Sequence, residues 1–495
     1  MKEMFSLQEF IAQAPCGMAR GMEDGGTAAW KGLPYAQPPA RFSPPQAVRP
    51  WTGVRDALEF GPSCPQEDIR RAPMAEDCLY LNIWSPGTAG KRPVMFFIHG
   101  GSFAGGSGSE EAYNGANLAR NGDVVVVTFN YRVGILGFLD FSFVHSDFHA
   151  NCGLLDVLEA LRWVRTNIAA FGGDPDNVTV FGQSAGGTIT SVLPVLPAAR
   201  GLFSKCIVMS GGPTLLQGRE EGRRTARAFL ETAGVKDAQE LLSVPEKELP
   251  ACQREFVARC GLGAGTFRIS VDEALVPDYP IAAARTGIAR EIPMLIGTTR
   301  EEMSFLLIKP LAKALDVDGI MQAGVEHEAD ECKERIPLAY RRRYGKRRGQ
   351  AMMFSDMVFR MGNVWYVQEY GRHCDVWMYR FDYETPAMKI SGLHAFHSSD
   401  IPFVFGNFKA GMGKLIFLLS PSMKKVRELS HEMQRDFVAF ARTGRAGWPR
   451  CREADIPAKC YGKQCAVLPA VEDEIVRQYE DTHFKRTSFS SCKED

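Results

Sequence analysis

The pentapeptide Gly182-Gln183-Ser184-Ala185-Gly186 constrains this chain more than any other stretch, because of what flanks it. Before it runs Asn177-Val178-Thr179-Val180-Phe181, a β-branched segment that reads as a buried strand. After it come Gly187, Thr188-Ile189-Thr190 and the apolar Val192, Leu193 and Val195, the opening of a helix. A Gly-x-Ser-x-Gly turn between strand and helix is a nucleophile elbow. Its glycines lack a Cβ, so the backbone turns tightly and holds Ser184 in a strained conformation. The serine Oγ then projects above the sheet, at the positive end of the helix.

A serine hydroxyl is a weak nucleophile until a base takes its proton and donors stabilise the oxyanion. Upstream, Pro93-Val94-Met95-Phe96-Phe97-Ile98 reads as another buried strand and ends in His99-Gly100-Gly101-Ser102-Phe103. That is close to the HGGG-type loop whose backbone N–H groups line an oxyanion hole. His99 itself reads as a structural hydrogen-bonding residue, and Gly105-Gly106-Ser107-Gly108 as a flexible glycine hairpin.

Several further motifs recur in one order. Gly32-Leu33-Pro34-Tyr35-Ala36 is followed by Pro38-Pro39 and Arg41-Phe42, then by Glu76-Asp77-Cys78-Leu79-Tyr80-Leu81-Asn82-Ile83. Asn130-Tyr131-Arg132-Val133-Gly134 and Phe171-Gly172-Gly173-Asp174-Pro175 lead into the elbow. With these the chain, from about Gly32 to Trp448, resembles the type B carboxylesterase and cholinesterase family. In character it is similar to the bacterial para-nitrobenzyl-esterase-like carboxylesterases. The resemblance implies an α/β-hydrolase fold: a central, mostly parallel twisted sheet, helices on both faces and helical insertions over the site. It also implies a Ser-Glu-His triad in that chain order.

The acid follows the strand Ile292 to Ile296, in Gly297-Thr298-Thr299-Arg300-Glu301-Glu302. On residue chemistry the two glutamates stand level. Similarity to the family's G-x-N-x-D-E-G selects Glu302, although Met303 replaces the usual glycine, and leaves Glu301 as a solvated acid capping the next helix. The histidines after it are His327, His373, His394, His397, His431 and His483. His431 lies in a charged helical stretch and His373 just before the strand Val376 to Phe381. His394 and His397 share the loop after that strand, at the sheet's carboxyl edge. The segment His397 to Gly406 is similar to the family's histidine motif, which selects His397.

The resemblance thus implies two-step acyl transfer with Ser184 as nucleophile, His397 as base and Glu302 as its orienting acid. Backbone N–H groups of Gly101, Ser102 and Ala185 would receive the oxyanion. No metal or organic cofactor is expected. Gln183 stands where the family commonly has glutamate, and Ser102 where it has a third glycine. An amidase, carbamate hydrolase or acyltransferase on the same triad is the enzymatic alternative. A non-catalytic binding member is disfavoured because all three triad positions are filled.

The motifs spread over all 495 residues without a linker, so one domain spanning 1–495 is expected, with segment 1–30 peripheral and helical insertions at about 220–260 and 311–370. Hydrophobic content of 45% and charged content of 23% are those of an ordinary soluble globule. A net charge of zero steers nothing toward nucleic acid, and the cluster Arg341 to Arg348 reads as a solvated helix end. No segment matches a secretory leader or a bilayer span, and thirteen scattered cysteines suit a reducing compartment. The expectation is a microbial cytoplasmic enzyme, monomeric or weakly homo-oligomeric, acting on a small ester without nucleic-acid or membrane partners. Cys64 and Cys78 resemble the family's first disulfide loop and are expected close together but reduced. In cholinesterases a tryptophan in that loop receives the quaternary ammonium; Gln66 to Asp77 holds no aromatic residue and carries Arg70 and Arg71. Uncharged esters with short to medium acyl chains are therefore expected, with Phe103, Phe305, Met357 to Met361 and Trp365 as candidate pocket residues.

Overall fold

The computed structural model describes residues 9–67, 73–260, 265–289, 291–308, 330–411, 413–420, 422–453, 455–470 and 473–479. Arg70, Arg71, His327, His483 and the segment 311–329 lie outside them. Among the described residues, the strands are β1 (Glu9–Ala14), β2 (Gly17–Asp24), β3 (Thr27–Pro34), β4 (Val54–Asp56), β5 (Tyr80–Ser85), β6 (Arg92–Ile98), β7 (Val125–Phe129), β8 (Gly173–Gln183), β9 (Lys205–Met209), β10 (Leu216–Gln217), β11 (Ile269–Ser270), β12 (Met294–Thr299), β13 (Val376–Phe381), β14 (Pro457–Tyr461) and β15 (Ala466–Pro469).

Apolar, β-branched and aromatic runs form the middle of the sheet, where both faces are covered. The order is β1-β2-β3-β5-β7-β6-β8-β9-β12-β13-β14-β15, with β4 beside β2 and β10-β11 as a separate pair. From β7 to β14 every pairing is parallel; the other pairings along this order are antiparallel, while β4 lies parallel to β2. Alternation along each strand sends side chains to opposite faces. Val94, Phe96 and Ile98 join one core with Val125, Val127, Val178 and Val180. Met95, Phe97, Val126 and Phe181 join the other.

A helix seals each face. Cys152–Asn167 presents Leu154, Val157, Leu158, Leu161 and Val164 to the first core. Met423–Thr443 presents Val426, Leu429, Met433, Phe437 and Phe440 to the second. Both follow the i, i+3, i+4, i+7 spacing of an amphipathic helix. Each side chain so buried contributes roughly 1.5–3 kcal/mol.

Of segment 1–30, expected to be peripheral, residues 1–8 lie outside the described residues; from Glu9 the chain forms the sheet's antiparallel edge, and Ala29 and Trp30 are fully buried. The region 220–260 holds the helices Arg219–Ala233, Ala238–Ser243 and Leu249–Cys260. In the region 311–370 the described helical run is Asp330–Tyr344, Lys346–Ser355, a π-turn at Asp356–Arg360, and Met361–Tyr370. No helix among the described residues is long and apolar enough to cross a membrane.

Cys64 and Cys78 are free and buried; the neighbouring Cys64 thiol and burial push the Cys78 thiol well above the ordinary range. A bond between them would close a loop of about 15 residues and add about 3 kcal/mol in the chain-entropy model. We expect intact-mass measurement after alkylation of fresh lysate to find both thiols reduced, and oxidation of the purified protein to raise Tm. A bond already present in fresh lysate contradicts this, as does an oxidised form that melts lower.

Candidate active site

Ser184 follows the last residue of β8 and caps the helix Ala185–Val192 with φ 60° and ψ −124°. Such a conformation costs a non-glycine residue on the order of 1–3 kcal/mol and persists only where its surroundings impose it. Ser184 N–H donates to Met209 O at 3.0 Å, and Ser184 O accepts from Thr188 N–H at 2.8 Å. At Gly186 a Cβ would stand 2.0 Å from Ile98 O, and at Gly187 one would stand 2.6 Å from Met209 O. Absent side chains thus let the turn sink between the ends of β6 and β9, while Ser184 stays half-buried.

The loop after β6 lies against this turn. A Cβ on Gly100 would be 2.9 Å from Ser184 Cβ, and one on Gly101 (φ 120°) would be 2.1 Å from Gly105 O. Ser102 and Phe103 also take positive φ, 55° and 58°. Ser102 therefore holds a glycine-like conformation despite its side chain. Among the described residues, the N–H groups of Gly101, Ser102 and Ala185 donate to no protein acceptor. His99 is buried, donates from Nδ1 to Gly100 O at 2.8 Å and stacks on Tyr131 at 4.3 Å. Burial lowers its pKa to about 4, so it is neutral.

The glycine run Gly105 to Gly108 departs from the expected flexible hairpin. Gln66 clamps it, accepting from Gly106 N–H at 2.6 Å and donating to Gly106 O at 3.0 Å. Gly108 N–H donates to Asn130 Oδ1 at 2.9 Å, and a Cβ there would strike the Phe129 backbone. The second glycine run is a packed buttress for the first.

Glu302 and His397 meet beside the elbow. His397 Nδ1 donates to Glu302 Oε2 at 2.6 Å, and His397 N–H donates to Glu302 O at 3.0 Å. Thr299 N–H donates to Glu302 Oε1 at 2.7 Å, and the carboxylate is fully buried. The Phe359 ring lies over the imidazole, 4.8 Å between centroids and 25° between planes. Gln183 Nε2 lies 3.1 Å from His397 Nε2.

Other candidate residues fall elsewhere. His394 Nδ1 lies 3.4 Å from Glu384 Oε1, while His373 and His431 are exposed. Glu301 is not a solvated cap: it is 1% exposed, because Arg348 of the basic cluster reaches in to pair with it. Glu301, Glu384 and His394 are the three metal-type donors that converge among the described residues, and Arg348 and Lys389 already lie against them. Met303 has φ −102°, which needs no glycine, and its N–H donates to Ser355 Oγ at 2.9 Å.

Several supporting residues carry no motif. Arg360, paired with Asp356, donates to Thr299 O and Arg300 O just before Glu302. Phe359, Phe305, Val358, Leu306, Phe354, Leu215 and Met303 form a small apolar cluster on the His397 side. Of the expected pocket residues, Phe103, Met357, Met361 and Trp365 instead belong to the main core. A cavity of about 560 Å³ adjoins Gly100 and Gly101, lined also by Gln66, Tyr113, Gln253 and Val257. Asp400 is wholly buried, accepts from Tyr379 OH at 3.2 Å and has one oxygen unpaired. Burial above all, with the nearby Glu302 charge, raises its pKa to about 7.

The sequence profile of the carboxylesterase family matches residues 8–464. The chain is 37% identical over 464 residues to the para-nitrobenzyl esterase of Bacillus subtilis (strain 168), covering 90% of this chain and 93% of that one. It is 32% identical over 470 residues to the fumonisin B1 esterase of Sphingopyxis macrogoltabida, covering 89% and 84%. A solved carboxylesterase of Geobacillus stearothermophilus at pH 6.2 aligns with a TM-score of 0.82 and 36% identity, covering 94% of this chain and 98% of that one.

Asp400 gives a signed pH dependence. Its folded pKa lies above the unfolded value near 3.8, so its contribution to stability is full below pH 3.8 and is lost as pH rises through about 7. Asp400→Asn removes that titration. The Tm of the variant minus that of the wild type should rise between pH 5 and pH 8; a constant difference would show that Asp400 is ionised throughout.

Proposed function

This chain belongs to the carboxylesterase family and hydrolyses carboxylic esters, and we propose that it does so through an acyl-enzyme on Ser184. Its fold is the α/β-hydrolase fold. The observation that carries the proposal is the 2.6 Å contact of His397 with buried Glu302 beside a strained serine turn.

Glu302 fixes the imidazole with its proton on Nδ1, so Nε2 takes the Ser184 proton as Oγ attacks the ester carbonyl. The negative charge then passes to the carbonyl oxygen, within reach of the N–H groups of Gly101, Ser102 and Ala185. Collapse of this intermediate breaks the bond to the alcohol oxygen, which receives the proton from His397. Water next attacks the acyl-enzyme, again losing its proton to His397; collapse breaks the bond to Ser184 Oγ, which takes that proton back from His397 as the acid leaves.

The proposed substrates are small to medium uncharged esters. The cavity beside Gly101 offers room next to the glycine loop that touches Ser184, and the apolar cluster around Phe359 packs on the His397 side. The sequence from Gln66 to Asp77 offers no aromatic face to a quaternary ammonium. We take the enzyme to be a single catalytic domain in the cytoplasm, monomeric or weakly self-associating.

Ser184→Ala should lower turnover by on the order of 10⁶, the loss seen when a triad nucleophile is removed. His397→Ala should be nearly as damaging and His394→Ala mild, since the latter ring faces Glu384. Turnover of p-nitrophenyl butyrate by the three folded variants checks this, and the reverse order for the histidines would reassign the base. A panel of p-nitrophenyl acetate, butyrate, octanoate and palmitate beside butyrylthiocholine tests the substrate class. The highest kcat/KM is expected at butyrate or octanoate; a thiocholine value matching it would refute the neutral-ester reading.

A further inference from the structure

The contact between Gln183 and His397 joins the residue before the nucleophile to the group that activates it. Glu302 accepts from Nδ1, so the neutral ring carries its proton there and Nε2 offers a lone pair. The Gln183 amide nitrogen lies 3.1 Å from that Nε2, and a lone pair accepts only from an N–H. The amide therefore donates to the base. Gln183 is 2% exposed, and its oxygen faces the oxyanion loop, 3.1 Å from where a Cβ on Gly100 would stand. One buried amide spans the base and the oxyanion loop.

We infer that Gln183 is a positioning residue that holds the His397 ring in place through a hydrogen bond to Nε2 in the resting enzyme and yields that lone pair to Ser184 during attack. The inference rests on the reading of His397 as the base. An amide suits both states of the ring. It donates to neutral imidazole and, turned about its terminal bond, presents its oxygen to the Nε2–H of imidazolium. A carboxylate of the same shape accepts only, so it opposes the neutral ring and favours the charged one.

The charged and titratable groups around the ring are few. Glu302 faces Nδ1, and Asp400 stands three residues on with Tyr379 OH upon it. Phe359 covers one ring face, and His99, across Gly100, is neutral. A carboxylate at position 183 would add a new anion on the Nε2 side.

The test is kcat/KM against pH for p-nitrophenyl butyrate with wild type, Gln183→Glu and Gln183→Met. In Gln183→Glu the acid limb should move to higher pH by about one unit, the lower end of the effect of an opposite charge in contact. In Gln183→Met, which fills the space without a donor, kcat should fall at least tenfold while KM and the acid limb stay put. An acid limb for Gln183→Glu that coincides with wild type overturns the inference. So does a wild-type kcat for Gln183→Met, and that variant decides the matter if the glutamate variant does not fold. Failure of the underlying reading looks different: His397→Ala would then retain activity whatever stands at position 183.

Discussion

At Gly186 the backbone lies so near the end of β6 that a methyl group would stand 2.0 Å from the Ile98 oxygen. That close approach sets everything above it. It lets the turn after β8 sink between β6 and β9, with Ser184 at φ 60° and the Ala185 N–H without a partner among the described residues. It also brings the Gly100-Gly101 loop against the serine, so the Ser184 turn and the glycine loop meet above two neighbouring parallel strands. A side chain at Gly186 would part those strands. The strain at Ser184 is held by the whole sheet, and the sheet is held by cores on both faces.

The charges follow from the same frame. β12 and β13 lie parallel, so the segments leaving their carboxyl ends carry Glu302 and His397 toward each other. Glu302 is fully buried, and an isolated buried carboxylate is costly unless hydrogen-bonded. It has Thr299 N–H and His397 Nδ1–H as donors. The π-turn Asp356–Arg360 contributes twice, placing Phe359 over the imidazole and Arg360 on the carbonyls that precede Glu302. Donors fixed in advance of the reaction need no reorganisation when charge develops.

Much of this was legible in the sequence. The elbow, the loop at His99, the strand before Glu302 and the strand before His397 are local signals of type and order, and the sheet holds each of them. What the sequence left open depended on distant contacts. Glu301 looked solvated because nothing in its own segment reveals that Arg348, 47 residues away, pairs with it. Gly105 to Gly108 looked flexible because Gln66, which clamps the run, sits in a loop without a motif. Phe103 and Trp365 carried the composition of pocket residues, but aromatic character alone does not separate a pocket from a core. Asp400 lies in a recognisable segment, yet its burial beside Glu302 appears only once β13 and the loop after it are folded.

The central claim is that Ser184 Oγ is the atom that takes the acyl group, and a covalent probe reads it directly. Diisopropyl fluorophosphate forms a bond from a serine oxygen to phosphorus and releases fluoride. Intact mass and peptide mapping of the inhibited enzyme should show one adduct per chain, on Ser184, with activity lost in proportion to labelling. An adduct on another residue, or full inhibition with Ser184 unmodified, would contradict the account.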